Sequence, residues 1–327
     1  MKPRRAAALT AALALPLAVG TAAALAQPVL SLPLDCTPGE DCHVQNYVDR
    51  KAGPGAADFA CGTLSYDGHN GTDFAVGSLQ AMRDGVEVRA AAAGIVRGTR
   101  DKWPDIAFGT AGAPELGGQD CGNGVAIDHG GGWITQYCHM KQGSVAVRSG
   151  ERVEAGQRIG EVGLSGRTEF PHIHVSVSHN GVTVDPFDAE MDPACGSGVQ
   201  LWADPPDYRA TGIVASGLLP RMPDYAELKD APPSTAAWPA AEGPAVVAWL
   251  RAFGGREGDV LRFRIDGPDG RFHEVREVLE EDQADFFRGT GRRAPEGGFP
   301  VGRYTARMEI VRDGRVVAAA SEAVDLP

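Results

Sequence analysis

Two histidines one residue apart, His172 and His174, are the most informative residues for chemistry in this sequence. They fall in the segment HIHVSV, which is β-prone and follows a glycine-containing stretch. On a strand, residues two apart project from the same face, so both imidazoles would converge on one surface of a sheet. A bound metal ion is the usual reason for such a pair. The alternative is an incidental pair of surface histidines on an edge strand.

A second pair of ligand-type residues, His69 and Asp73, lies upstream in the segment GHNGTDF. Glycines at 68 and 71 argue against a helix and let the loop fold so that an imidazole and a carboxylate meet. Asp73 as a turn or cap residue is the alternative. Three protein ligands and a vacant fourth position are typical of catalytic zinc, whose bound water has a pKa of about 7. His69, Asp73 and one histidine of the 172/174 pair therefore predict a hydrolase with one zinc ion per chain.

Five segments resemble the lysostaphin/LytM-type zinc endopeptidases over residues 66–187: GHNGTDF, CGNGVAIDH, TQYCHM, GERVEAGQRIGEVGLSG and FPHIHVSV, in that order. The three signatures of that family, His-x3-Asp, Tyr-x-His and His-x-His, all occur here. The resemblance implies two antiparallel sheets around a groove, with the zinc held by His69, Asp73 and His174. It also implies that His139 and His172 lie beside the metal without binding it.

Amide hydrolysis needs a base for the water, stabilisation of the oxyanion and a proton for the leaving amine. No glutamate occupies a HExxH setting. We therefore expect His172 to hydrogen-bond the attacking water, and His139 to stabilise the negative oxygen or shuttle the proton. The remaining histidines stand in polar contexts and are predicted to be surface residues: His43, His129, His179 and His273.

The N-terminus has the pattern of a secretory signal peptide, with Lys2, Arg4 and Arg5 before an apolar run from Ala6 to Ala26. Cleavage before Gln27 would change the balance from 31 basic and 43 acidic residues to 28 and 43, a net charge of −15. Such a balance excludes a nucleic-acid binder. No later stretch approaches the roughly 20 apolar residues of a membrane span. We expect a periplasmic or secreted protein.

The six cysteines all lie after the leader, and their even number predicts three structural disulfides in an oxidising compartment. Cys121 and Cys138 flank a hairpin-like segment with glycines 130–132 at its tip, which would bring them together. This pair is the one pairing that we predict.

Short, glycine-bounded β segments predict a mainly β protein, with a two-sheet or barrel-sandwich peptidase domain and a small immunoglobulin-like β-sandwich. In the latter, Asp313-Gly314 predicts a hairpin turn. The acidic run 277–282 reads as a solvated face rather than a calcium site. The predicted units are a signal peptide (1–26), a cysteine-containing arm (27–62), a zinc metallopeptidase domain (63–204) and a C-terminal β-sandwich (205–327).

Two segments depart from the family pattern: an insertion between Arg100 and Cys121 and the arm from Cys36 to Cys61. We expect both to form walls of the groove and to narrow substrate choice. The predicted function is zinc-dependent hydrolysis of peptide cross-links in bacterial peptidoglycan, with peptide stems as the substrate. The alternative is a non-catalytic wall-binding relative or amidase activator. The C-terminal domain is predicted to bind a glycan, a regulatory protein partner or the peptidase groove itself.

Overall fold

The computed structural model describes residues 27–190, 195–196, 198–233, 235 and 244–326. The predicted signal peptide at 1–26 lies outside the described residues. Within the described parts of the chain, no helix is long and apolar enough to cross a membrane.

The first part of the chain, up to residue 184, contains ten strands and one short helix among the described residues. In chain order they are β1 (Cys42–Asn46), β2 (Thr72–Val76), α1 (Leu79–Asp84), β3 (Glu87–Arg89), β4 (Gly94–Arg100), β5 (Asn123–Gly130), β6 (Trp133–Met140), β7 (Arg152–Val153), β8 (Arg158–Glu161), β9 (His172–His179) and β10 (Val182–Val184).

Eight of these strands form one antiparallel sheet in the order β1-β2-β9-β6-β5-β4-β7, with β10 beside β9, and β3 pairs with β8. The central strand β9 shows why the sheet forms, since Ile173, Val175 and Val177 are buried on its core side. By alternation, His172 and His174 project from the opposite face. The predicted arm belongs to the same core, because Leu30, Tyr47 and other residues before 63 pack in it.

The second part contains seven strands and one short helix among the described residues. They are β11 (Gly212–Leu219), α2 (Tyr225–Asp230), β12 (Ala245–Gly255), β13 (Val260–Gly267), β14 (Gly270–Val278), β15 (Gln283–Arg293), β16 (Gly302–Arg312) and β17 (Arg315–Leu326).

These strands form two antiparallel sheets, β11-β12-β15 and β14-β13-β16-β17, around a separate hydrophobic core. In β13, Leu261, Phe263 and Ile265 are buried while the arginines between them point outward. The hairpin between β16 and β17 turns at Asp313 and Gly314 with φ angles of 50° and 76°, as the dipeptide predicts. The mainly β fold with a C-terminal β-sandwich is confirmed.

Three disulfides join the six cysteines, Cys36 to Cys42, Cys61 to Cys195 and Cys121 to Cys138. The predicted pairing of Cys121 with Cys138 is confirmed, and the hairpin of β5 and β6 that brings them together turns at glycines 130–132.

Candidate metal centre and active-site cleft

Strand register brings the predicted ligands together at the middle of the large sheet. Asp73 on β2 lies directly opposite His174 on β9, and Ala75 lies opposite His172. Side chains opposite one another in an antiparallel pair project from the same face, so the pairing of β2 with β9 alone brings Asp73 and His174 together. The third predicted ligand, His69, lies in the turn that leads into β2 and is buried.

Three acceptor-type atoms converge at this point. His69 Nε2 lies 3.1 Å from Asp73 Oδ1 and 3.1 Å from His174 Nδ1, and His174 Nδ1 lies 2.8 Å from Asp73 Oδ1. Ligand atoms of a tetrahedral zinc with bonds of about 2.05 Å are separated by about 3.3 Å. The triangle is therefore of the size that one zinc ion requires, and these residues form a group that can hold a metal.

The hydrogen bond of His69 Nδ1 shows which nitrogen of this ring is available to bind a cation. His69 Nδ1 lies 2.7 Å from the carbonyl oxygen of Tyr47, which can only accept, so Nδ1 carries the proton. Nε2 is then left with a lone pair directed at an ionised carboxylate and a second imidazole. Such an arrangement is the usual outer hydrogen bond of a metal-binding histidine, and its donor set suits zinc.

A second outer contact comes from Asn46, which sequence reasoning missed. Its Nδ2 donates to Asp73 Oδ2 at 2.9 Å, leaving Oδ1 to face the two imidazoles. Asn46 is the register partner of Asp73 in the pairing of β1 with β2. The alternating segment CHVQN was the available signal for a strand at this place, whereas its partner strand could not be read from the sequence.

Gly71 keeps the ring of His174 in position. A Cβ added at Gly71 would lie 2.5 Å from His174 Nε2, so the imidazole occupies space that any side chain would need. The glycines of the GHNGTDF segment therefore serve close packing against a ligand as well as the turn itself.

His139 and His172 stand beside this group. Their ring centroids are 4.8 Å apart, and His172 Nε2 lies 3.4 Å from Asp73 Oδ1. The Nδ1 atom of His139 lies 2.8 Å from the Ser165 carbonyl, and that of His172 lies 3.0 Å from the Phe170 carbonyl. Since a carbonyl only accepts, both rings donate from Nδ1, and the neutral form of each presents an Nε2 lone pair.

His139 reaches this place through an irregularity in β6. Gly124 pairs with Cys138 and Asn123 with Met140, so His139 is an extra residue between two register pairs. Its φ of 66° lies in the left-handed region, which is costly for a residue with a Cβ. Bulges of this kind redirect a side chain, and here the His139 N–H is fixed by a 2.8 Å bond to the Cys121 carbonyl.

The electrostatics of the five residues are dominated by burial and by Asp73. Burial would raise the pKa of the Asp73 carboxyl, but the charges of His172 and His69 outweigh it and hold that pKa well below its ordinary value. Burial opposes charge on His69, yet Asp73 raises the pKa of this imidazole. Burial lowers the pKa of His174, and burial together with His172 and His174 lowers the pKa of His139 to about 3. His139 is therefore neutral at neutral pH.

A cleft of about 750 Å³ opens beside the group. Peptidase residues that line it include Asp73, His139, His172, Tyr66, Arg167 and Phe170. Gln45, Asn46 and Ala56 of the N-terminal arm and Phe108 of the insertion also line it. The prediction that both segments form walls of the groove is confirmed.

The four remaining histidines, which were predicted to be surface residues, are partly exposed. His43 stacks on Phe253 with ring centroids 4.3 Å apart, and burial lowers its pKa to about 4. His179 stacks on Trp133, and His129 and His273 bond to Thr135 and Thr290.

The part of the chain that contains the metal group matches a known protein family. Residues 67–186 match the model of peptidase family M23. The chain is similar to the peptidoglycan DD-endopeptidase ShyA of Vibrio cholerae, with 32% identity over 126 residues, 38% of this chain and 24% of ShyA. It is also similar to the cell division protein DipM of Caulobacter vibrioides, with 28% identity over 123 residues, 38% of this chain and 19% of DipM.

Among solved structures, a zinc-containing peptidase from Vibrio cholerae is 26% identical, with 43% of this chain and 38% of that chain covered and a TM-score of 0.28. The matched segment spans about a quarter or less of the two curated relatives' lengths. With its three motifs in order on one sheet, the segment 67–186 belongs to peptidase family M23 and is of the lysostaphin/LytM type.

Proposed function

We propose that this protein is a zinc-dependent endopeptidase that hydrolyses peptide cross-links of bacterial peptidoglycan. The observation that carries the proposal is the triangle of His69 Nε2, Asp73 Oδ1 and His174 Nδ1 at 2.8–3.1 Å, flanked by two further imidazoles in a cleft. The names of the relatives support the substrate, since ShyA is a peptidoglycan DD-endopeptidase. Peptide stems are the proposed substrate, and residues 1–26 are the proposed export signal to the periplasm or the exterior.

In this proposal, His69, Asp73 and His174 hold one zinc ion. A bound zinc polarises the scissile carbonyl and makes a water molecule acidic enough to attack at neutral pH. Asn46 and the Tyr47 carbonyl hold two of the ligands in orientation through the bonds described above.

His172 and His139 carry the proton transfers. His172 Nε2 is the proposed acceptor for the proton of the attacking water, because the Nδ1–H bond to Phe170 leaves the lone pair of the neutral ring on Nε2. Once protonated, His172 returns that proton to the leaving amine, either directly or through His139, whose Nε2 also carries the lone pair of the neutral ring. Once protonated, either ring becomes a donor to a negative oxygen.

The proposed organisation of the chain is an arm (27–62), a peptidase domain (63–204) and a C-terminal β-sandwich (205–327). Two separate hydrophobic cores support the last division, one including Leu30 to Trp202 and the other Leu218 to Leu326. Phe253 is the exception, because it lies on β12 and packs in the first core.

The test is the metal content of the purified protein together with peptide release from isolated peptidoglycan. We expect about one zinc per chain in the wild type. His174→Ala should lose the metal, and His172→Ala should keep it but lose turnover. His179→Ala is the matched control, since His179 lies on the same strand but stacks on Trp133 away from the metal group.

Two results would contradict the proposal. A wild-type protein without zinc would remove the metal site. A zinc-loaded protein that releases nothing from peptidoglycan would instead favour a non-catalytic wall-binding or amidase-activating relative.

A further inference from the structure

Two outer contacts of the metal group come from the N-terminal arm, which lies before the family M23 segment at 67–186. Asn46 donates to Asp73, and the Tyr47 carbonyl accepts from His69 Nδ1. The arm therefore orients two of the three proposed ligands. A change that displaces the arm should also displace these two side chains.

The turn formed by residues 58–62 holds Tyr47 in place. The Tyr47 N–H donates to the Leu64 carbonyl at 2.8 Å. Leu64 is itself fixed, because its N–H donates to the buried carboxylate of Asp58 at 3.1 Å. The same carboxylate closes the turn by accepting two further backbone N–H groups. The position of the carbonyl that bonds His69 therefore depends on this turn.

A disulfide fastens the turn to the far end of the peptidase part. Cys61, within the turn, is joined to Cys195, and 134 positions of sequence separate the two. Next to this bond, the Gly196 N–H donates to the Phe59 carbonyl at 2.8 Å. The backbone at Cys61 is left-handed, with φ of 57°, which is unfavourable for a residue with a Cβ. The disulfide thus holds a strained turn against a partner remote in sequence.

This disulfide is also the most accessible of the three. Cys61 and Cys195 are both exposed, whereas each of the other two pairs has a buried member, Cys42 or Cys138. Cys61 lines a second cleft, of about 690 Å³, which residues 39–43 of the arm and residues 211–214 of the β-sandwich also line. A thiolate can therefore approach this bond without unfolding of the chain. Exposed disulfides are the class that is readily reduced and that serves regulation.

We propose that the disulfide between Cys61 and Cys195 is a redox switch for the metal group. In the oxidised state the arm holds His69 and Asp73 in position, and in the reduced state the turn relaxes and the affinity for zinc falls. The inference rests on the proposed peptidase function and names the regulation of its site. Because thiols stay reduced in the cytosol, the protein gains its full zinc affinity only in an oxidising compartment.

The reductant of this switch is a dithiol, and the step is thiol–disulfide exchange. One thiolate of the dithiol attacks the sulfur of Cys61 or Cys195, and the other cysteine leaves as a thiolate. The second thiol of the dithiol then attacks the mixed disulfide and releases the first cysteine. The cysteine pair gains two electrons and two protons, and the dithiol becomes a disulfide.

The experiment reduces this bond in the folded wild type. The full mature chain is treated with increasing concentrations of dithiothreitol, its free thiols are alkylated with iodoacetamide, and both reagents are removed by gel filtration. Mass spectrometry identifies the alkylated cysteines. Zinc affinity is then measured by competition with a chromogenic chelator. A sample alkylated without dithiothreitol is the control for alkylation at other side chains.

We expect Cys61 and Cys195 to be alkylated at the lowest dithiol concentration, while Cys42 and Cys138 stay protected. The protein reduced at this bond alone should bind zinc about tenfold more weakly, because loss of the outer partners of metal ligands costs about 10- to 100-fold in affinity. Reoxidation of a sample that was not alkylated should restore the affinity. If another disulfide is reduced first, or if the reduced protein binds zinc as tightly as the oxidised one, the proposal is overturned.

Two double variants separate this bond from disulfides in general. Cys61→Ala with Cys195→Ala should lose about tenfold in zinc affinity without any reductant, for the same reason. Cys36→Ala with Cys42→Ala removes a disulfide between residues six apart and should leave zinc affinity unchanged. Equal losses in both would mean a general effect on stability and would overturn the proposal. If circular dichroism shows that the first variant does not fold, the reduction of the wild type decides.

Failure of the proposed function can be told apart from failure of this inference, because neither the mapping of thiols nor the zinc affinity depends on hydrolysis. A wild type that binds zinc more weakly after reduction but releases nothing from peptidoglycan would contradict the peptidase proposal and support the switch. An active wild type whose zinc affinity is the same before and after reduction would support the peptidase proposal and overturn the switch.

Discussion

Replacing Gly71 with alanine tests the geometry of the metal group with a single methyl group. Gly71 is buried in the turn before β2, and its φ is not in the left-handed region, so alanine brings no backbone strain. The added Cβ would lie 2.5 Å from His174 Nε2 and 2.9 Å from the backbone carbonyl of Val175. The carbonyl is held in the sheet, and therefore the imidazole must move.

The displacement can be worked out from these distances. Ordinary contact begins at 3.4 Å, and the difference from 2.5 Å requires the ring to shift by about 0.9 Å. Metal–ligand distances tolerate only about 0.2 Å. We therefore expect zinc affinity to fall about 10- to 100-fold, and kcat/KM to fall by about two orders of magnitude at saturating zinc.

The assay is competition for zinc against a chromogenic chelator, followed by peptide release at saturating zinc. The control is Gly98→Ala on β4, where an added Cβ meets nothing within 4 Å and φ is likewise outside the left-handed region. Circular dichroism verifies that both variants fold. If Gly71→Ala binds zinc and turns over like Gly98→Ala, the placement of the His174 ring as a ligand is refuted.

Three further predictions concern Asn46, the disulfide between Cys121 and Cys138, and His43. Asn46→Ala removes the bond to Asp73 Oδ2, and we expect zinc affinity to fall about tenfold in the same competition assay; unchanged affinity would contradict an orienting role for Asn46. Replacing Cys121 and Cys138 together by serine should lower the free energy of unfolding, measured in urea, by about 3 kcal/mol. The double variant should also lose more of its kcat than of its zinc content, because the Cys121 carbonyl fixes the His139 N–H. An unaltered kcat would show that the disulfide does not hold His139 in position. His43 has a folded pKa of about 4 against an ordinary value of 6.5, so the unfolded chain takes up its proton first as pH falls, and stability present above pH 6.5 is lost toward pH 4. His43→Phe keeps the stack on Phe253 without a titrating group, and its unfolding free energy should fall by about 2 kcal/mol less than that of the wild type between about pH 7 and pH 4.5; parallel curves would contradict this.

The sequence by itself determined the parts of this protein that follow from short-range periodicity. The alternation of HIHVSV places Ile173 and Val175 in the core and both histidines on the other face, which a strand of period two requires. The glycines at 130–132 brought Cys121 and Cys138 together, and Asp313-Gly314 formed its hairpin, because each feature depends only on neighbours in the chain.

Only the tertiary structure decided which distant segments complete the site. Asn46 reaches Asp73 through the pairing of β1 with β2, and regular alternation would have turned His139 away without the extra residue in β6. Residues 254–255 and 282–284 line the cleft only because the β-sandwich packs against the peptidase part through Phe253 and Arg251. Register between strands and packing between cores are set by side chains far apart in the chain, so no local pattern records them.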